Sequence, residues 1–272
     1  MDTHLAFDRL HNFRDLGGYR APGGGYLTRP RVRYRSDNLA KLHEPAAAAD
    51  RERFDALGIR TVVDLRHDGE FARTGRVPAR DGLAFRHLGI EHRPGDQAAT
   101  GPLPDPWRYL AGKLGEILTD GGEEIARVLD VLAHAEGPVV FHRASGKDRT
   151  GVIAALVLTL LGVDHDTVAA DFALTEHATA ALRADRSARD EGREPGREHY
   201  GRAPEAVVRH LVDDLDSEYG GVAAYGVAIG VPGTTVAALR TRHLLPLRLL
   251  VRVRPRRVTR VSVRHPLGRF RV

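Results

Sequence analysis

Apolar residues recur along this chain at two spacings, which predict alternating strands and helices. Short β-branched and aromatic runs, typical of buried parallel strands, lie at residues 59–66 and 139–142. Apolar positions at helical spacing predict helices packed on a sheet at residues 107–118, 123–134, 204–219 and 231–242. Residues 151–161 are apolar nearly all round, so we expect that helix to be buried in the middle of the domain.

The remaining elements complete one α/β domain. We expect a helix at residues 46–57, short strands at 32–34 and 84–90, and a loop at 91–106. Residues 164–201 begin as an amphipathic helix and become strongly charged, which is typical of a solvated helix face. Strands alternating with helices predict a mostly parallel central sheet flanked by helices, in a domain of residues 1–242. Residues 243–272 are predicted to form a basic C-terminal tail outside the fold.

The positive charge of the chain is concentrated in that tail. The formal net charge is +5, yet residues 243–272 contain nine arginines and no acid. Removing that +9 leaves the first 242 residues at about −4, so we expect no nucleic-acid binding. The longest apolar run is about a dozen residues, short of the roughly 20 of a membrane span, and no signal-peptide pattern opens the chain. We therefore expect a cytoplasmic protein.

Cysteine is absent from the sequence. This absence excludes a disulfide framework, a thiolate metal site and a cysteine nucleophile. We expect neither a metal nor a cofactor.

The polar, glycine-containing segment after the second strand has the character of an anion-binding loop. Residues 142–150, here called the anion loop, join that strand to the buried helix. Backbone N–H groups converge in such a loop, and the helix N-terminus adds partial positive charge. Arg149 can place its guanidinium fork on two oxygens of a bound phosphate.

Several stretches in order resemble the protein tyrosine phosphatase superfamily. The anion loop is similar to its phosphate-binding pattern, His-Cys-x-x-Gly-x-x-Arg-Ser/Thr-Gly. The narrower resemblance is to the bacterial branch that acts on phosphotyrosine, other phosphoamino acids and phosphoinositides. It covers about residues 8–242 and includes the stretches at 12–18, 34–36, 57–66 and 219–239. It implies a phosphatase-like fold and a phosphorylated protein or phosphoinositide as ligand.

In that family a cysteine thiolate at the second loop position attacks phosphorus, and this position is Arg143 here. The resemblance implies that Arg149 clamps the phosphate, that Lys147 favours acidic inositol headgroups, and that Asp148 is a candidate general acid. His142, which steadies the nucleophile in the family, is expected to hold the loop by a hydrogen bond. The other residues implied in phosphate binding are Ala144, Ser145, Gly146 and Thr150.

Three further features are expected to support the site. Asp64 and Arg66 end the first buried strand, where open α/β sheets keep their ligand sites, and they either serve the ligand or fix loops by hydrogen bonds and an ion pair. Glu91 and Asp96 are both candidates for an acid in the following loop. Residues 171–201 resemble a lid segment of some relatives.

Arginine at the nucleophile position predicts phosphatase activity at or near background. A guanidinium stays protonated and cannot attack phosphorus. The nucleophile is therefore missing, and removing a nucleophile commonly lowers the rate by several orders of magnitude. Two guanidinium groups about 5 Å apart would repel by roughly 3 kcal/mol at an effective dielectric constant near 20, and an anion between them would relieve this. Arg143 therefore either strengthens anion capture or blocks the pocket.

Three interpretations stay open from the sequence. The first is a phosphatase-fold protein that binds phosphorylated ligands without hydrolysing them. The second is an active phosphatase whose cysteine codon is miscoded as Arg143, since one base separates the two codons. The third is an interaction protein that uses its basic tail, residues 243–272, on membranes or nucleic acid, with the contact to a membrane surface expected to be weak. The tail also fits a sequence read through beyond the end of the domain.

Overall fold

A five-stranded sheet forms the centre of the computed structural model, which describes residues 3–21, 23, 25–91, 93, 103–187 and 201–247. The described strands are β1 (Arg14–Asp15), β2 (Arg20–Ala21), β3 (Tyr26–Thr28), β4 (Arg33–Ser36), β5 (Thr61–Asp64), β6 (Ala84–His87), β7 (Val139–His142) and β8 (Leu244–Pro246). The central sheet has the order β1-β4-β7-β5-β6. Strand β1 pairs antiparallel with β4, and every other pairing in this sheet is parallel.

Helices cover both faces of this sheet. They are α1 (Ala48–Ala56), α2 (Asp68–Thr74), α3 (Pro106–Asp120), α4 (Gly122–His134), α5 (Asp148–Leu160), α6 (His165–Ala173), α7 (Thr179–Ser187), α8 (Glu205–Tyr219), α9 (Val222–Ala228) and α10 (Gly233–His243). The expected mostly parallel α/β architecture is confirmed.

Successive side chains of the central strands point to opposite faces of the sheet, so the hydrophobic core has one part on each face. Val63 and Phe141 pack into the larger cluster formed with α3, α4, α5, α6 and α8. Their neighbours Val62 and Val140 point the other way and pack with Phe54 of α1. Successive strand side chains point to opposite faces, so strands buried on both sides are apolar at every position. This explains why β5 and β7 could be recognised from their sequence.

Helix α5 is the most buried helix of the domain, as its all-round apolar sequence predicted. Residues 149–158 are all buried, and α5 packs against α3, α4, α6 and α9. Gly151 lets α6 approach closely, because a Cβ there would lie 2.7 Å from the ring of Phe172. The N-terminus of α5, and with it the anion loop, is thereby fixed relative to the sheet.

A small antiparallel sheet extends the fold beyond residue 242, where the sequence predicted the domain to end. Strand β8 pairs with β3, and β3 pairs with β2. The backbone of Leu247 adds a hydrogen bond to Gly25. Because β8 satisfies the otherwise open edge of β3, residues 243–247 belong to the folded part. The arginines of the predicted tail lie outside the described residues.

The register of the parallel strands brings three segments to one end of the sheet. Ser36 of β4 and Asp64 of β5 both lie beside His142 of β7. Each of these strands ends there and passes into a loop. Carboxyl ends of parallel strands meet at one edge, where α/β proteins bind their ligands.

Candidate functional site

The anion loop leaves a row of backbone amides free between β7 and α5. In the part of the chain that the structure describes, the amides of residues 144–147 donate to no other group. The first turn of α5 then closes with a 2.7 Å hydrogen bond from Gly151 N to Lys147 O. Free amides beside a helix N-terminus form a favourable environment for a bound anion.

Gly146 sets the shape of this loop. Its φ of +65° is left-handed, and a Cβ there would lie 2.5 Å from the carbonyl oxygen of Ser36. The Gly146 carbonyl accepts hydrogen bonds from Asn12 Nδ2 at 3.1 Å and Arg35 Nη2 at 2.7 Å. Asn12 also donates to the carbonyl of Ser145 at 2.9 Å. The loop backbone is therefore held by residues that precede it by more than a hundred positions.

Asp171 anchors this support from α6. Its carboxylate accepts from Arg35 Nη1 at 2.9 Å and from the Tyr19 hydroxyl at 2.8 Å, and it lies 3.6 Å from Arg14 Nε. Arg14, Arg35 and Asp171 are all buried. Burial alone would raise the pKa of Asp171, but the attraction of Arg14 and Arg35 outweighs it and lowers that pKa. Asp171 thus lies in a buried ionic network, although the resemblance to relatives predicted that it begins a lid segment.

Arg143 and Arg149 share one carboxylate inside the site. Arg143 Nη2 lies 3.1 Å from Glu70 Oε1, and Arg149 Nη1 lies 3.5 Å from Glu70 Oε2. The side chains of Glu70 and Arg149 are only 12% and 3% exposed. Glu70 therefore provides the anion that relieves the repulsion between the two guanidinium groups.

Glu70 was missed by the sequence analysis. It occupies the third position of α2 and forms a reciprocal capping box with His67 at the helix N-terminus. Because α2 starts directly after β5, the cap directs the Glu70 side chain toward the neighbouring anion loop. An acid in the first turn of a helix that follows a central strand was the signal available in the sequence.

Asp64 and Arg66 support that helix. Arg66 makes a bidentate ion pair with Asp64, with Nε–Oδ1 and Nη2–Oδ2 distances of 2.9 and 2.5 Å. It also donates to Thr74 Oγ1 and to the Gly75 carbonyl, at the end of α2. Both charged side chains are fully buried. These hydrogen bonds fix the end of α2, and a role of the pair toward a ligand stays a prediction.

Lys147 and Asp148 form a second pair at the loop. Lys147 Nζ lies 3.2 Å from Asp148 Oδ1 and donates to the Arg202 carbonyl at 3.1 Å. Burial would raise the pKa of Asp148, but Lys147 and then Arg143 outweigh it and lower that pKa. Asp148 is therefore ionised at neutral pH here, and its assignment as proton donor stays a prediction.

His142 makes no hydrogen bond of regular geometry with either ring nitrogen, and its Nε2 lies 3.6 Å from Asp64 Oδ2. A weaker interaction with the backbone of Arg143 in the loop acts to raise the pKa of the ring. Burial outweighs this interaction and the nearby carboxylate, and it lowers the pKa of His142 to about 4. The ring is therefore neutral at pH 7.

The remaining predicted site residues differ in accessibility. Ala144 is exposed and Ser145 is half-buried, so both lie where a ligand can reach the loop. Thr150 is fully buried in α5. Glu91 is exposed, and its charge acts on Arg149. Asp96 and residues 188–200 of the charged segment lie outside the described residues.

Comparison with known proteins identifies the family of the sequence. A sequence model described as the tyrosine phosphatase family matches residues 5–245. The chain belongs to the tyrosine phosphatase family. One similar family member is a protein of Cupriavidus necator, whose name provisionally assigns it to the tyrosine-protein phosphatases. It is 34% identical to this chain over 62% of this chain and 61% of its own length. The chain thus spans about three fifths of that relative.

Two other phosphatases are similar over a longer part of their sequences. The triple specificity protein phosphatase PtpB of Mycobacterium tuberculosis is 30% identical over 64% of this chain and 69% of its own length. A tyrosine-protein phosphatase of Nostoc commune is 30% identical over 76% and 72%, respectively. Among solved structures, the Siw14 catalytic core matches 71% of this chain and 90% of its own, with 15% identity and a TM-score of 0.34.

No helix in the described ranges combines the length and the apolar composition that crossing a membrane demands.

Proposed function

We propose that this member of the tyrosine phosphatase family binds phosphorylated ligands at the anion loop without hydrolysing them. The observation that supports this most directly is Arg143, which occupies the nucleophile position with its guanidinium 3.1 Å from Glu70. The sequence contains no cysteine that could replace the missing thiolate.

The attacking group is the missing part of the chemistry. A low-pKa thiolate is nucleophilic at neutral pH because amides and cations stabilise its charge. A guanidinium carries the opposite charge and has no free electron pair at neutral pH. Without another nucleophile in the loop, a bound phosphate ester stays intact.

The binding part of the site is retained. The free amides of residues 144–147 and the N-terminus of α5 favour an anion, and Arg149 stays protonated although burial and Arg143 lower its pKa to about 10. Arg143, Lys147 and Arg149 outnumber the carboxylates of Glu70 and Asp148 by one charge. A dianionic phosphoryl group fits this surplus better than a neutral ligand.

The proposed ligand is a phosphorylated protein or a phosphoinositide. The name of the Mycobacterium relative, a triple specificity protein phosphatase, supports a loop that accepts more than one phosphorylated group. Ala144 and Ser145 at the accessible rim are small, so they leave room for different groups bearing the phosphate.

The direct test is binding of a phosphotyrosine peptide and of inositol phosphate, measured by calorimetry. Arg149→Ala removes a charged pair of hydrogen bonds worth about 1.5–3 kcal/mol, so affinity should fall about 10- to 100-fold. Arg127→Ala, an exposed arginine of α4 paired with acids of its own helix, is the matched control and should bind normally. If neither phosphorylated compound binds the unsubstituted chain, the proposed function is wrong.

Glu70→Gln should strengthen phosphate binding about tenfold, which corresponds to about 1.4 kcal/mol. The Glu70 carboxylate competes with a ligand for Arg143 and Arg149, and glutamine removes its charge while retaining the capping box. Titration of the phosphotyrosine peptide at constant salt measures the change. Glu123→Gln, on exposed α4, should leave affinity unchanged. Equal or weaker binding by Glu70→Gln would show that Glu70 does not compete with the ligand.

A further inference from the structure

Arg33 is a buried cation with no carboxylate partner among the residues that the structure describes. The buried arginines of the described ranges are Arg14, Arg33, Arg35, Arg66 and Arg149. All except Arg33 lie within 4.0 Å of an Asp or Glu oxygen. Only 3% of Arg33 is exposed, and its Nε and Nη2 atoms have no hydrogen-bond partner. Burying a charged group without compensation is costly, so this guanidinium is suited to an anion that is not part of the described chain.

Two groups with unused polar atoms at the end of α10 interact electrostatically with Arg33: the charge of Arg242 acts on Arg33, and the charge of Arg33 acts on His243. Arg242 donates from Nη2 to the Gly137 carbonyl at 2.9 Å, while its buried Nε has no partner. His243 lies 3.0 Å from the Leu132 carbonyl through Nε2, while its buried Nδ1 has no partner. Burial and then Arg242 lower the pKa of Arg33 to about 9, so Arg33 remains charged at neutral pH.

His243 contributes an acceptor to this cluster. A carbonyl can only accept a hydrogen bond, so Nε2 carries the ring proton and Nδ1 of the neutral ring presents a lone pair. Burial, followed by the charge of Arg33, lowers the pKa of His243 to about 2, and the ring therefore stays neutral. Two cations beside one acceptor suit an anion that itself carries a proton.

This cluster lies at the end of the sheet opposite the anion loop. Arg33 is paired with Val139 at the start of β7, whereas the anion loop follows His142 at its end. Three residues of strand separate the two ends by about 10 Å. The sequence after residue 247 contains arginines but no Asp or Glu, so that segment has no acidic side chain to offer Arg33.

We propose that Arg33, Arg242 and His243 form a second anion site that binds hydrogen phosphate as a free ion. Arg33 and Arg242 contact its oxygens, and the P–OH group donates to His243 Nδ1. The slight exposure of Arg33 favours a small free ion over a phosphoryl group on a macromolecule. Sulfate carries no proton at neutral pH, so it cannot satisfy His243 and binds at least tenfold more weakly.

Calorimetric titration with inorganic phosphate tests the site through its stoichiometry. The unsubstituted protein should bind two phosphate ions, and Arg149→Ala, in which the anion loop binds about 10- to 100-fold more weakly, should retain only one ion at the original affinity. Adding Arg33→Met to Arg149→Ala should abolish the remaining binding. Arg33→Met alone should raise the melting temperature in phosphate-free buffer, because it removes an unpaired buried charge.

Arg242→Gln keeps the test decisive if either buried arginine variant fails to fold, because Arg242 is only half-buried. As a single substitution, Arg242→Gln should reduce the number of bound phosphate ions from two to one. Arg240→Gln, an exposed position on the same helix, is the control and should retain two. No ion bound by Arg149→Ala, an unchanged stoichiometry in Arg242→Gln, or equal affinity of the Arg33 site for phosphate and sulfate would overturn the proposal. A single ion that the unsubstituted protein loses on Arg242→Gln but retains on Arg149→Ala would instead contradict binding at the anion loop.

Discussion

Arg143→Cys should convert the chain into an active phosphatase, with hydrolysis of an aryl phosphate rising by about three orders of magnitude or more. The substituted side chain would lie among the free amides of residues 144–147 and beside Arg149 and Lys147. Such surroundings lower the pKa of a thiol and produce the thiolate that attacks phosphorus. Glu70 would then pair with Arg149 alone. The charge of Arg143, which is one of the causes that lower the pKa of Asp148, would no longer act on that carboxyl group.

Initial rates with p-nitrophenyl phosphate measure this gain. Arg143→Ser is the matched control, because it removes the guanidinium without supplying a low-pKa nucleophile, and it should stay near background. Rapid turnover by the unsubstituted chain would contradict the proposed loss of chemistry. An inactive Arg143→Cys that still binds phosphotyrosine would show that the loop lacks more than its nucleophile. Resequencing of codon 143 separately tests whether the arginine is encoded.

Asp171→Asn should destabilise the domain by about 3–5 kcal/mol. The substitution leaves Arg14 and Arg35 buried without their carboxylate, and Arg35 also holds the Gly146 carbonyl. Urea unfolding at pH 7 should therefore show a lower midpoint with an unchanged slope. Phosphate affinity should fall as well, because the support of the anion loop is weakened.

Asp166→Asn is the matched control on the same helix, since Asp166 is 79% exposed and pairs with exposed Arg209. It should change stability by less than about 1 kcal/mol. The folded-state pKa of Asp171 is lowered, so its contribution is complete above the unfolded value of 3.8 and disappears as pH falls through the folded value. The difference in free energy of unfolding between the unsubstituted protein and Asp171→Asn should be constant from about pH 5 to 8. It should become smaller in stronger acid. Equal effects of the two substitutions would show that the buried network contributes no special stability.

Elements formed by consecutive residues could be predicted well. Strands β5 and β7 are apolar at every position because both of their faces are buried, and α5 is apolar all round for the same reason. The anion loop is also continuous in sequence, so Gly146 and Arg149 could be assigned together. Burial and local backbone geometry leave a direct pattern in the sequence.

The partners of that loop could not be assigned in the same way. Glu70 precedes Arg149 by 79 positions, and Asp171 follows Arg35 by 136. The position of such acids in the sequence does not predict which cation they pair with, because charged residues are common on solvated helix faces. Strand β8 was predicted to lie in the tail for a similar reason, since its pairing with β3 joins segments from the two ends of the chain.

The sequence by itself determined the α/β class, the family resemblance and the absence of a cysteine nucleophile, because each depends on residue identity or on order along the chain. Only the tertiary structure decided that Glu70 lies between Arg143 and Arg149 and that Asp171 holds the loop through Arg35. It also decided that Arg33 is buried with no acid beside it in the described part of the chain. Electrostatic energies depend on distance and burial, which packing creates between segments far apart in sequence.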